Sequence, residues 1–341
     1  MNKKFIRRYL LPALICGLAV IGLLYFYFAS DFSTKEEIQY VCIDRDDNLD
    51  SVFAKLAPIA KQHALTGYKT LVRHSGYADH IRTGRYAIAP SDGAFTVFRH
   101  LKNGIQTPVN LTVPSVRTLD RLASVVGRKL MIDSAEVMQA LNDPVVMHKY
   151  GFDSTTISCL FIPNTYDMYW NISLEKFLDR MKNEHDKFWN ADRQAKAKMA
   201  GLTPNQAVTL ASIIDEETAD DGEKPMIAGM YLNRLKIGMP LQADPTIKFA
   251  LKQFDLRRIW GYMLKVDSPY NTYINTGLPP GPIRVPSVAG INAVLDHARH
   301  NYLYMCAKED FSGTHNFAAT YAEHLQNAAK YAQALNQRGI K

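Results

Sequence analysis

Leu210-Ala211-Ser212-Ile213-Ile214-Asp215-Glu216-Glu217-Thr218 carries an apolar run into three successive acids, and the reading of the whole chain turns on that ending. The spacing predicts a helix. Thr203 is a candidate N-cap and Pro204 falls at the first helical position, where its missing N–H costs nothing. At ~100° per residue, Ala207, Leu210, Ala211 and Ile214 form one apolar stripe, with Ile213 on its flank. Continuing the count, Glu217 falls on the Leu210/Ile214 side, Glu216 faces nearly opposite, and Asp215 lies well off the stripe. Of the three acids, Glu217 alone is expected to turn toward the protein. A carboxyl held against apolar surface has its pKa raised, because desolvation disfavours the charged form. Such a group can remain protonated and serve as a general acid near neutral pH. The same spacing also fits a frayed acidic turn in which Glu217 only salt-bridges to a neighbour.

Outward from that helix, composition sets the frame. The chain has 341 residues, 47% of them apolar and 11% aromatic, enough to bury a sizeable core in about two domains. Removing Lys3, Lys4, Arg7 and Arg8 takes the net charge from +7 to +3, too little for a nucleic-acid footprint. Cys42, Cys159 and Cys306 stand far apart, at no spacing that makes a disulfide framework or a zinc site. They read as buried small hydrophobes, with one bridge among them left open.

Tyr9 to Ser30 contains no charged residue. About 20 helical residues cover the ~30 Å hydrocarbon core, so this run predicts a membrane helix over 9–30. The basic residues precede it, while Asp31, Lys35, Glu36 and Glu37 follow. The positive-inside rule then puts residues 1–8 in the cytoplasm and everything after residue 30 outside. Bulky Ile15 before Cys16, and the lack of an Ala-x-Ala site at the right distance, argue against a cleaved leader.

Residues 37–102 read as a small α/β module. A strand at Ile38–Ile43 precedes a helix at about Leu49–Ala64, started by Asp46-Asp47-Asn48. Gly84–Ile88 is a second strand, and Ser91 caps a helix that runs to Gly104. A strand at Val109–Val113 leads to a helix at about Leu119–Val126. Residues 132–200 read as mostly helical, broken by Phe161-Ile162-Pro163-Asn164-Thr165-Tyr166-Asp167-Met168-Tyr169-Trp170. That aromatic cluster suits either sugar stacking or a core. A further helix is expected at about Lys224–Lys236, stopped by Gly238. Met239–Thr246 reads as a polar turn, and Gly277-Leu278-Pro279-Pro280-Gly281-Pro282-Ile283 as a rigid extended loop. Hydroxyl, amide and aromatic groups on stiff loops suit a carbohydrate groove.

Several of these words together resemble the YceG-like (MltG) family of membrane-anchored endolytic murein transglycosylases. They are Leu-Ala-Ser-Ile-Ile-Asp-Glu-Glu-Thr (210–218), Tyr-Leu-Asn-Arg-Leu-Lys-Ile-Gly-Met (231–239), Leu-Gln-Ala-Asp-Pro-Thr (241–246), Tyr-Asn-Thr-Tyr (270–273), Gly-Leu-Pro-Pro-Gly-Pro-Ile (277–283), and His315 with Phe317. The match is dense over 203–325 and loose over 37–130. It implies an α+β protein: a transmembrane helix, a LysM-like module at 37–105, a connecting, mostly helical region at 106–202, and a mixed α/β catalytic domain at 203–341. In the family the last glutamate of the helix motif is the catalytic acid, which maps onto Glu217. Many relatives carry glutamate where this chain has Asp215, so no essential role is assigned there.

The resemblance implies cleavage of the MurNAc–GlcNAc β-1,4 bond of peptidoglycan glycan strands to 1,6-anhydro-MurNAc ends, with no metal and no cofactor. Gln242, Asp244, Asn271, Thr272 and His315 are the expected substrate contacts; Asp244 fits a turn-capping role before Pro245 equally well. A tethered enzyme of the bacterial cytoplasmic membrane reaches only nascent strands near the outer face, which makes a membrane glycan synthase a candidate partner. The competing readings are a hydrolytic muramidase and a non-catalytic peptidoglycan-binding scaffold.

Overall fold

An uncharged stretch with nothing to bury it against has to find its solvent elsewhere. In the computed structural model, which describes residues 6–256 and 258–338, that stretch is one helix, α1 (Ile6–Ala29), exposed from Ile6 to Phe26. Its 24 residues rise about 36 Å, long enough for a bilayer core. Lys3, Lys4 and the last residues of the expected 203–341 domain lie outside the described residues.

Two compact units follow from the chain's own packing. The first holds the residues up to Leu111 with Lys129–Met131 and Asp167–Ser173; the second holds Thr112–Arg128, Ile132–Tyr166 and the residues from Leu174 onward. Most of 106–202 therefore falls in the second unit with the residues that follow it.

In the first unit no linker separates α1 from what comes after. Phe32 is fully buried, its N–H donating to the Asp92 carbonyl and its own carbonyl accepting from Lys61 N–H, both at 2.7 Å. Phe26 stacks on His63 with ring centroids 4.0 Å apart. The approach requires two glycines: a Cβ on Gly67 would stand 2.0 Å from the Tyr27 carbonyl oxygen, and one on Gly93 2.7 Å from that of Phe28. The unit continues as β1 (Gln39–Ile43), α2 (Leu49–Leu56), α3 (Gln62–Arg73), β2 (Gly84–Ile88) and α4 (Ala94–Asn103). β1 and β2 pair antiparallel with Val41 opposite Tyr86. Ile43, Leu56, Tyr68, Tyr86 and Leu101 fill the core.

Two sequence expectations shift here. The single helix expected over 49–64 is α2 and α3 with a turn between, because Pro58 has no N–H to continue the ladder. The cap of α4 is Gly93 instead of Ser91, since the Asp92 carboxylate holds the Ala89 N–H in a turn first.

The chain then forms β3 (Val109–Val113), α5 (Leu119–Lys129), α6 (Ser134–Asn142), α7 (Pro144–Tyr150), β4 (Asn164–Met168), α8 (Leu174–Phe188), α9 (Ala191–Met199), α10 (Pro204–Glu217), α11 (Lys224–Lys236), α12 (Asp244–Ala250), α13 (Val288–Leu295), β5 (Tyr304–Ala307), β6 (His315–Ala318) and α14 (Tyr321–Gln337). β3 pairs with β4, and β5 with β6, so the described residues hold three two-stranded sheets beside many helices, an α+β fold. The 161–170 cluster is mainly strand and core: Phe161, Ile162, Tyr166 and Met168 are buried, while Tyr169 is exposed. Cys42, Cys159 and Cys306 are all free thiols, which closes the question of a bridge among them.

α10 is the axis of the second unit. Thr203 and Gln206 form a reciprocal cap at its start, as expected of that Thr-Pro entry. It packs against α9, α11, α12 and α13. Every residue from Ala207 to Ile214 is buried, including Val208, Thr209 and Ser212, which lie outside the expected apolar stripe. A helix enclosed on all sides has no outer face.

Candidate active site

Because α10 is enclosed, all three of its terminal acids meet protein, not Glu217 alone. Carboxylates at a helix C-terminus sit at the negative end of its dipole, so each needs compensation. Asp215 has it from the Lys224 ammonium at 2.8 Å, the Ser287 N–H at 2.5 Å and the Ser287 hydroxyl at 3.0 Å. Glu216 has it from two guanidiniums: Arg117 grips both oxygens at 2.8 Å, and Arg284 Nη1 donates to Oε1 at 2.8 Å. Glu217 touches no cation among the described residues. Its hydrogen bond comes from a neutral group, the Tyr231 hydroxyl, donated to Oε1 at 2.7 Å.

Burial pushes the Glu217 carboxyl up to about 7. The Tyr231 bond opposes that rise, the nearby charge of Asp244 adds to it, and His315 and Lys248 pull it back. Burial also drives the Tyr231 phenol well above its ordinary range, so it stays an O–H donor. The helix stops at Glu217 because Thr218 is extended (φ −141°) and its hydroxyl accepts from the Asp220 N–H at 3.1 Å.

Glu217 faces a cleft of about 230 Å³ that also takes in Tyr231, Gln242, Asp244, Tyr273 and His315. Of the expected site residues, the fold therefore brings Gln242, Asp244 and His315 to Glu217. Gln242 is exposed and sits in the left-handed region (φ +50°), a strained position for a side chain with a Cβ. Asp244 opens α12 and accepts from the Tyr273 hydroxyl at 2.5 Å, so the expected polar turn at 239–246 ends in a helix start. His315, on β6 opposite Ala307, is braced by Glu223. That carboxylate takes its backbone N–H at 2.5 Å and lies 3.0 Å from Nδ1, leaving Nε2 for the cleft.

Asn271 and Thr272 do not reach the cleft. Both are buried, at 0% and 1% exposure. Asn271 Nδ2 donates to the Leu264 and Val266 carbonyls and its Oδ1 accepts from Tyr273 N–H. The Thr272 hydroxyl accepts from Ala243 N–H at 3.0 Å and lies 2.9 Å from Thr246 Oγ1. They hold the loop that aims Tyr273 and Asp244, in place of the substrate contacts expected from the sequence. Sequence reasoning missed Tyr231, Tyr273 and Glu223. Tyr231 and Tyr273 stood in matched words, but their partners are 14 and 29 residues away and only the fold supplies them.

A raised carboxyl without a counter-cation, at the buried end of a central helix and open to a polar cleft, is the arrangement of a general acid. Residues 41–330 match the YceG-like family, and the chain belongs to it. It is 26% identical over 339 residues to an endolytic murein transglycosylase of Bacillus subtilis (strain 168), with 94% of this chain and 93% of that one covered. An endolytic murein transglycosylase of Streptococcus pneumoniae (strain R6) is 26% identical over 292 residues; the match covers 77% of this chain and 52%, about half, of that relative. The crystal structure of a YceG-like protein from Listeria monocytogenes shares the fold, with a TM-score of 0.55 at 24% identity over 86% of this chain and 99% of that one.

Proposed function

We propose that the chain is a membrane-tethered endolytic murein transglycosylase with Glu217 as its acid. The observation that carries this reading is the contrast among three adjacent acids: Asp215 and Glu216 are neutralised by cations, and Glu217 is left with a phenol. A carboxyl titrating near 7 is protonated for an appreciable part of the time at neutral pH and remains a strong enough acid to give its proton up.

Glu217 protonates the glycosidic oxygen between MurNAc and GlcNAc as positive charge develops at the MurNAc C1. The exposed Asp244 carboxylate, oriented by Tyr273, stabilises that charge electrostatically. The 6-hydroxyl of the same sugar then attacks C1, a reaction that gains from proximity. Its proton returns to the Glu217 carboxylate, and the products are a 1,6-anhydro-MurNAc end and a free GlcNAc 4-hydroxyl. Gln242 and His315 bind the substrate beside the cut. α1 spans the cytoplasmic membrane with its N-terminus inside, so the cleft works outside on nascent strands and limits their length, next to a glycan synthase.

The test is mass spectrometry of products from the detergent-solubilised full chain on uncrosslinked glycan strands, beside Glu217→Gln. Anhydro ends from the wild type, lost at least 100-fold in the variant, are expected. Hydrated reducing ends would instead select a hydrolytic muramidase, in which Asp244 orients water. Intact strands that remain tightly bound would select a scaffold.

A further inference from the structure

A second cavity opens in the same unit, about 450 Å³ in volume and walled by both charge and aromatic surface. Arg117, Arg284 and Lys252 bring three cations, and Phe249, Phe254 and Tyr270 bring rings. The carboxylates answering them are Glu216, shared by both guanidiniums, and Asp120 in the wall, while Asp255 acts on Arg117 from further off. The Lys252 ammonium has no ion pair or hydrogen bond among the described residues, although its backbone is held in the left-handed region at φ +54°. Arg284 Nε, by contrast, is buried, and it has no acceptor among the described residues.

This cavity is tied to the catalytic cleft by three separate segments. α10 sends Glu217 to the cleft and Glu216 to the Arg117 and Arg284 guanidiniums. α12 places Asp244 in the cleft and Phe249 in the second cavity, five residues and roughly 8 Å further along. The loop after it gives Tyr273 to one and Tyr270 to the other. A ligand in the second cavity thus touches the same three segments that place Glu217, Asp244 and Tyr273 in the cleft. A neutral sugar offers these cations nothing to pair with. A short chain of carboxylates and small apolar groups fits both the cations and the rings.

We propose that the second cavity binds the acidic peptide carried on the lactyl group of the muramyl residue, so that strands bearing peptide are the preferred substrate. This rests on the glycan-cleaving reading above. The experiment uses the full chain in detergent and has two arms. In one, a synthetic L-alanyl-D-isoglutamyl tripeptide is titrated into the protein and followed by NMR. In the other, KM is measured on the same glycan strands with and without their peptides.

The expected result is peptide-dependent shifts at Tyr270 and Phe254, and a KM about tenfold lower for peptide-bearing strands, equivalent to one charge-assisted bond. Lys252→Glu, an exposed residue whose change does not threaten folding, should bring that KM ratio close to one; Lys252→Met should leave it between. Equal KM values on the two substrates with no peptide-dependent shifts would overturn the proposal and leave the transglycosylase reading standing. If neither strand is cut, that reading fails, and the titration alone decides the site: shifts at Tyr270 keep it as an acidic-peptide site, and their absence overturns it.

Discussion

At Glu217 one carboxyl carries both the proposed chemistry and a cost to the fold. Its ordinary value is 4.5 and burial lifts it to about 7, so between those pH values the folded chain holds a proton that the unfolded chain has lost. Stability is therefore fully present below about 4.5 and falls as pH rises through 7. Glu217→Gln does not titrate, and at pH 8 it should be more stable than the wild type by about 1–3 kcal/mol, a gap that closes by pH 4.5. Thermal unfolding at the two pH values checks this, and an equal gap at both would show that the carboxyl is not held up. Activity should fall with the same limb near pH 7. Tyr231→Phe removes the hydrogen bond that favours the carboxylate, so its limb should move to higher pH while kcat drops about tenfold. A limb that moves down would reverse the role given to Tyr231. The sequence pointed to Glu217 through helical spacing, and the same spacing misplaced Asp215 and Glu216. Helical phase says which way a side chain leaves its helix; it does not say whether protein or water waits there.

α10 and α13 are locked together through Asp215. Its carboxylate accepts from the Ser287 N–H and hydroxyl at the start of α13, and Gly290 one turn later leaves room for it. A Cβ on Gly290 would stand 2.5 Å from Asp215 Oδ1. Gly290→Ala should cost about 1–3 kcal/mol, read from urea unfolding, and should lower activity by displacing the end of α10. An unchanged midpoint would mean that the two helices part without penalty. Elements with local signals were legible: α10 from its Thr-Pro entry, α11 from its Gly stop, β1 from its alternation. Those lost were set by partners far along the chain. β5 and β6 pair with each other in a stretch where no strand was expected. α12 begins inside the expected polar turn, where Ala243 N–H is taken by the Thr272 hydroxyl.

Over the whole molecule, the junction at residue 30 matters most. Phe32 enters the core of the first unit two residues after Ser30, and the Tyr27 and Phe28 carbonyls lie against Gly67 and Gly93, so the apolar helix α1 and the module it enters form one packed body. In cells, replacing residues 1–24 with a cleavable export signal, which keeps the packed turn at Phe26–Ser30, should lengthen glycan strands by freeing the cleft from the membrane surface. Unchanged strand lengths would remove the tether from the mechanism. The sequence by itself determined the long apolar N-terminal helix, the α+β class, the family words and the catalytic candidate, because each is written in local spacing, composition or adjacent residues. Only the tertiary structure decided which acid lacks a cation, that Asn271 and Thr272 brace a loop, and that Tyr231, Asp244 and His315 meet Glu217. Those outcomes depend on side chains distant in sequence competing for the same buried polar atoms, and such competition is settled by packing alone.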